Sequence, residues 1–211
     1  MQIFSRYRTY FSPYKLMSQQ QGFTLIELLI SMAIIAIVTG IVLVKYNSFD
    51  STVLLKNQAY EIALLLRESQ IKSVSVVQNN KNTFDYPYGV SFTPASSTYQ
   101  SFLYKNGLSY PRFDSPATER TGLFDMGKKM QVKNVCVTDS SGENCSITRL
   151  DVSFRRPEFK ALFWAEGYRS GSEADMKNIL SARIHLASIN GGSNKFVVEI
   201  SRLGQISLYN E

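Results

Sequence analysis

Glu27 is the one ionisable residue in the stretch from Phe23 to Val44 of this 211-residue chain. A carboxylate that deep in an apolar helix costs on the order of 3 kcal/mol unless it finds a partner, so a cation or the headgroups and water of an interface must offset it. Cys136 and Cys145 flank the turn-rich stretch from Val137 to Asn144. Two thiols so placed either close a disulfide or join a metal site, and His185, the only histidine, is too distant in sequence to make a good zinc set with them. His185 itself, in the alternating run from Ala182 to Ser188, is the one general-base candidate. Neither a Gly-x-Ser-x-Gly elbow nor a His-Glu-x-x-His motif accompanies it, and Walker A and dinucleotide fingerprints are absent. An enzyme is therefore not expected, and no cofactor is implied. Arg149, Arg155, Arg156, Lys160, Arg169, Arg183, Lys195 and Arg202 would make a phosphate-binding strip if they converged on one face.

The elements that must position these residues are legible in the pattern. From Phe23 to Val44 a helix would span roughly 33 Å, close to the hydrocarbon thickness of a bilayer. The segment is too long for the apolar core of a secretory signal, and no Ala-x-Ala site follows it, so it is expected to stay with the mature chain. Beyond Lys45, Leu55, Ala59, Ile62, Leu66 and Val77 fall on one helical stripe while Lys56, Glu61, Arg67, Glu68 and Lys72 lie elsewhere. One helix from about Thr24 to Val77 is the simplest reading, and the stripe lacks the sustained heptads of a coiled coil.

After Asn80 the texture becomes short alternating or β-branched runs separated by Gly, Pro, Asn and Ser. Strands are expected over Tyr88 to Thr93, Tyr99 to Tyr104, Gln131 to Thr138, Ser146 to Phe154, Phe159 to Ala165, Ile179 to Ser188, Lys195 to Arg202 and Gln205 to Tyr209. Turns are expected at Asn190 to Ser193 and at Gly204. Trp164, with Phe159 and Phe163, reads as strand packing. The class is α+β, a long N-terminal helix packed on antiparallel sheets.

Charge adds an exclusion. The chain has 23 basic and 17 acidic residues, a net charge of +6. Arg6, Arg8 and Lys15 precede Gly22 with no acid among them, so the remainder is close to balanced and not a nucleic-acid-type basic body. The same residues, against Lys45 and Lys56 after the helix, lean toward an N-terminus in the cytoplasm.

The run Gln21-Gly22-Phe23-Thr24-Leu25-Ile26-Glu27-Leu28-Leu29 resembles the cleavage and methylation signature of type IV prepilins and type II secretion pseudopilins. The resemblance implies that a membrane-embedded prepilin peptidase and N-methyltransferase cuts after Gly22 and methylates Phe23. Glu27 would then pair with the terminal amine of a neighbouring subunit, which favours a defined axial step. It also implies three segments: a cytoplasmic leader (1–22), a transmembrane and assembly helix (23–44), and an extracytoplasmic pilin-like domain (45–211). Other pilin or pseudopilin subunits and an inner-membrane assembly platform would be the partners, in a type IV pilus or a type II secretion pseudopilus. Val44 stands where the family often has Pro, which implies a less kinked helix, and the leader is longer than usual. Met17 offers an alternative start that would discard Lys15.

The order of elements resembles the minor pseudopilin group labelled GspH/FimT-like, on the Ala59 to Lys72 block, Tyr88-Gly89-Val90-Ser91-Phe92, the Arg155-Arg156-Pro157 step and the terminal hairpin. In an oxidising extracytoplasmic compartment Cys136 and Cys145 are expected to pair. Asp139, Ser141, Glu143 and Asn144 are an alternative oxygen set for calcium. Some members of the group act in DNA uptake, so Arg155, Arg156, Arg183 and Arg202 are the candidates for a DNA-binding minor pilin.

Overall fold

The computed structural model describes residues 22–75, 86–105, 110–114, 118–155, 157–189 and 195–210, with the backbone alone over 44–51. The leader up to Gln21, Val77, Arg156 and the expected turn from Asn190 to Ser193 lie outside the described residues. The chain divides into two compact units, Met1–Val44 and Lys45–Glu211.

Helix α1 (Leu25–Val74) begins where Thr24 caps it: the Thr24 hydroxyl oxygen accepts the Glu27 N–H at 3.3 Å, satisfying one of the amides a helix start leaves unpaired. It ends at Val74, with Ser75 donating both its N–H and its hydroxyl to the Ile71 carbonyl. In the second unit Leu55, Ala59, Ile62 and Leu66 are buried, and Lys56, Glu61, Arg67, Glu68 and Lys72 are exposed, as the spacing predicts. The same inner face also carries polar side chains, three of which are matched across the domain. Gln58 donates to the Tyr99 hydroxyl at 3.2 Å. Gln70 donates to the carbonyls of Phe159 and Gly204, at 2.9 and 3.2 Å. Ser73 accepts the Tyr88 N–H at 3.2 Å.

Among the described residues ten strands form two five-stranded antiparallel sheets. They are β1 (Tyr88–Phe92), β2 (Thr98–Tyr104), β3 (Thr118–Asp125), β4 (Met130–Asp139), β5 (Gly142–Asn144), β6 (Arg149–Phe154), β7 (Ala161–Glu166), β8 (Ser181–Ser188), β9 (Lys195–Ser201) and β10 (Ile206–Asn210). One sheet runs β3-β2-β1-β6-β7 and the other β10-β9-β8-β4-β5. A short helix α2 (Glu173–Met176) lies between β7 and β8, closed by a capping box of Ser172 and Asp175. The arrangement is α+β and pilin-like.

All eight expected strands form, with shifted ends. β6 starts at Arg149 rather than Ser146, because the Asn144 side chain takes the Ser146 N–H at 2.8 Å and holds the chain in a local turn. Strands β7 and β8 each begin two residues later than expected. β3, β5 and α2 were not expected. β3 (Thr-Glu-Arg-Thr-Gly-Leu-Phe-Asp) is an exposed edge whose charges and glycine hide its alternation.

Apolar side chains of both sheets meet the inner face of α1 in one core, among them Phe92, Phe154, Phe163, Ile184, Leu186, Val198 and Ile200. The two sheets are tied by the turn between β1 and β2. There Ala95 donates its N–H to the Val132 carbonyl at 2.7 Å, and Val132 donates to the Ser96 carbonyl at 2.9 Å. Ala95 holds φ at +56° to make this link, a left-handed conformation that costs an L-residue roughly 1 to 2 kcal/mol. Gly204 is the second special backbone position. Its φ is +84°, and a Cβ there would lie 2.0 Å from the Phe159 carbonyl oxygen and 2.5 Å from the Gln70 amide nitrogen.

Candidate processing, assembly and disulfide sites

Gly22, Phe23 and Thr24 precede the helix as non-helical backbone, and all three are exposed. Nothing lies within 4 Å of where a Gly22 Cβ would stand. The chain's own packing therefore does not require glycine here, and any requirement must come from a site that receives this backbone. Glu27 is the third residue of α1, at the end where the unpaired amides give the helix its positive pole. Its carboxylate is exposed and has no ion-pair partner among the described residues.

From Leu25 to Leu43 the helix has a mean hydropathy of 2.6, and none of it is buried by the rest of the chain. It is long and apolar enough to cross a membrane once. The large apolar residues from Phe23 to Leu43 all stand exposed, and covering them is worth on the order of 20 kcal/mol. That free energy drives the segment into a bilayer or against other helices.

Residues 17–43 match the family described as the prokaryotic N-terminal methylation motif. This is the N-terminal signature that type IV pilins and pseudopilins carry. No curated protein and no solved structure matches it. The motif spans Gly22, Phe23 and Glu27 and most of the apolar helix; it does not reach the second unit, where the remaining candidate residues lie.

Cys136 and Cys145 form a disulfide, with Cα atoms 4.1 Å apart. It closes the β4–β5 hairpin, whose rungs are Val137↔Asn144, Thr138↔Glu143 and Asp139↔Gly142. The oxygens proposed for calcium are engaged by protein donors instead. Asp139 accepts the N–H groups of Ser141 at 2.6 Å and Gly142 at 3.1 Å with one oxygen, and the Tyr168 hydroxyl and Arg169 guanidinium with the other. The Tyr168 hydroxyl first, and then the Ser141 N–H, hold its carboxyl down at about 2. Glu143 pairs with Arg183 at 3.1 Å, and the Asn144 side-chain oxygen takes the Ser146 N–H. Arg169 thus occupies the place of a cation, with φ at +48° to reach it.

A second charged cluster was missed by sequence reasoning. Asp151, fully buried in β6, accepts the Ser91 hydroxyl at 2.6 Å and the Phe113 N–H at 2.8 Å. Arg149 lies 3.4 Å from it and also pairs with Asp114 at 3.0 Å and Glu166 at 3.3 Å. Burial nevertheless pushes the Asp151 carboxyl up to about 6, against the lowering effect of its donors and of Arg149. An acid inside the apolar run Leu150-Asp151-Val152 was the available signal.

Four of the eight residues of the proposed DNA strip, Arg149, Lys160, Arg169 and Arg183, are paired with carboxylates. Arg183, in β8, lies between Glu143 at 3.1 Å and Glu199 at 3.4 Å. Arg149 faces three acids, and Lys160 pairs with Glu158 at 2.8 Å. Arg202, in the β9–β10 turn, donates to the carbonyl of Lys177 at the end of α2. Arg155 follows β6, and Arg156 lies outside the described residues. His185 sits half-buried in β8, flanked across the sheet by Asn134 and Val197. Phe163 is buried, and Trp164 lies under the Arg112 guanidinium at 5.1 Å, whereas Phe159 is exposed.

Proposed function

We propose that this chain is a minor structural subunit of a type IV pilus or a type II secretion pseudopilus. It is inserted in the inner membrane by the first part of α1 and cut after Gly22 by prepilin peptidase. Phe23 becomes the N-methylated terminus. Glu27 then receives the terminal amine of a neighbouring subunit while the assembly platform draws the helix out of the bilayer. One observation carries this reading: the Gly22-Phe23-Thr24-Leu25-Ile26-Glu27 run stands directly before an uncovered apolar helix whose sole carboxylate has no partner among the described residues. An unpaired carboxylate in lipid is costly, and a subunit amine arriving with each new protomer removes that cost only at the correct axial step.

Intact-mass analysis of the membrane-purified protein tests the reading, because it reports loss of the leader and gain of one methyl group together. Gly22→Val should leave the leader in place, seen as an unshifted band. Glu27→Ala should be trimmed normally yet fail to enter filaments. Normal trimming of Gly22→Val would refute the cleavage assignment, and undiminished incorporation of Glu27→Ala would refute the pairing. Duplex-DNA titration at low and high salt tests the DNA-uptake alternative, whose Arg183 is already paired with two acids.

A further inference from the structure

β10 leaves one side of its sheet open. Among the described residues it bonds to β9 alone, in the register Ile206↔Ile200, Ser207↔Glu199, Leu208↔Val198, Tyr209↔Val197 and Asn210↔Phe196. The bond from the Ser201 N–H to the Gln205 carbonyl, at 2.9 Å, sets which rungs are hydrogen-bonded, since these alternate in an antiparallel ladder. Ser207 and Tyr209 therefore bond to β9, and the N–H and C=O groups of Ile206, Leu208 and Asn210 point to the open side. Among the described residues nothing bonds to those groups.

Exposed edges are normally guarded by charge, proline or shortness. β3 carries Glu119, Arg120 and Asp125; β7 ends in Glu166; β5 has three residues, one of them Glu143. β10 (Ile-Ser-Leu-Tyr-Asn) has five residues and none of these guards. Beside it runs a groove of about 220 Å³, with Lys56, Ala59 and Tyr60 of α1 on one wall and Phe196, Leu208 and Asn210 on the other. That volume is below the range of small-molecule sites and suits one bulky apolar side chain. Lys56 is the only charged residue lining the groove, and it has no ion pair among the described residues.

We propose that β10 is a strand-addition site, where an extended segment of a partner protein pairs with the open N–H and C=O groups. An apolar side chain of that segment fills the groove, and a carboxylate two residues along, on the same face, meets Lys56. A second copy of this chain, whose Tyr209 is followed two residues on by Glu211, is the competing occupant, which the dependence on chain concentration tests.

The test measures residue-resolved amide exchange on the purified full chain, with and without millimolar acetyl-Thr-Leu-Thr-Glu-Thr-amide. Exchange at Ile206, Leu208 and Asn210 should slow at least threefold, while Ser207 and Tyr209 remain slow in both samples. Replacing Glu by Gln in the peptide, or Lys56→Glu in the protein, should remove most of the effect, and Lys56→Arg should keep it. Unchanged exchange at the three amides, slowing without the odd–even alternation, or slowing that follows the concentration of the chain alone would overturn the proposal. The mass of the same sample reports cleavage at Gly22 independently, so failure here is distinct from failure of the filament reading.

Discussion

Reducing the Cys136–Cys145 disulfide should lower the stability of the second unit by about 3 kcal/mol. The two cysteines are separated by 9 positions, and closing a loop of about ten residues removes close to that much chain entropy, as free energy, from the unfolded state. For a domain of this size each kcal/mol moves the melting temperature by roughly 2 to 4 °C, so a drop of about 6 to 12 °C is expected. Reduction is a cleaner perturbation than Cys→Ser. Cys136 is fully buried, and a serine hydroxyl there would add its own penalty of about 1 to 3 kcal/mol if left without a partner. The Cys136→Ala, Cys145→Ala pair should reproduce the effect of reduction. The assay is thermal unfolding of the detergent-solubilised full chain, followed by fluorescence of Trp164, the only tryptophan. Trp164 lies in β7, in the opposite sheet from the disulfide, so it reports the whole unit rather than the hairpin. A shift below about 2 °C would refute the reasoning, because it would mean that the unfolded chain is already closed at this hairpin without the bond.

Gly204→Ala should destabilise the unit by more than about 2 kcal/mol in denaturant titration, since the new Cβ meets the Phe159 carbonyl and the Gln70 amide at a left-handed φ. A neutral result would mean that the β9–β10 turn is not pinned to α1 as described. Ala95→Gly should act in the opposite direction, gaining roughly 0.5 to 1 kcal/mol by relieving the left-handed strain at φ +56°; a loss of stability would refute the strain. Two carboxylates give pH dependence of opposite sign. Asp151, raised to about 6 by burial, favours the folded state when protonated, so its contribution of about 3 kcal/mol is present below pH 4 and is lost as pH rises through about 6. Asp139, lowered to about 2, contributes above pH 4 and loses that contribution as pH falls through about 2. Urea titrations between pH 3 and 7 should therefore show declining stability from about 4 to 6, and Asp151→Asn should flatten that slope; a rising slope in wild type would refute the assignment.

Legibility from sequence followed the length scale of each interaction. The buried stripe of α1 was readable because 3.6-residue spacing places Leu55, Ala59, Ile62 and Leu66 on one side whatever they pack against. Its polar continuation through Gln70 and Ser73 was not, because its partners are carbonyl and amide groups far along the chain, at Phe159, Gly204 and Tyr88. The strands with apolar alternation were found, while β3 escaped because an edge strand exposes the face where charge is tolerated. Composition likewise counts arginines without their neighbours, and only the fold shows that Arg149 and Arg183 sit among acids. The match of Asp139 with Arg169, delivered from 30 positions away, is equally invisible in the sequence.

The processing signature was determined by the sequence alone. The methylation motif lies in consecutive residues, and the length and hydropathy of the apolar run are local as well, so neither depends on the fold of the second unit. Tertiary structure decided what the remaining residues do. It brought Cys145 to Cys136, matched Asp139 with Tyr168 and Arg169, buried Asp151, and left the β10 edge open beside Lys56. Each of these is a relation between distant or turn-separated positions, and a charge, a thiol or a backbone amide acquires its role only from the group that ends up beside it.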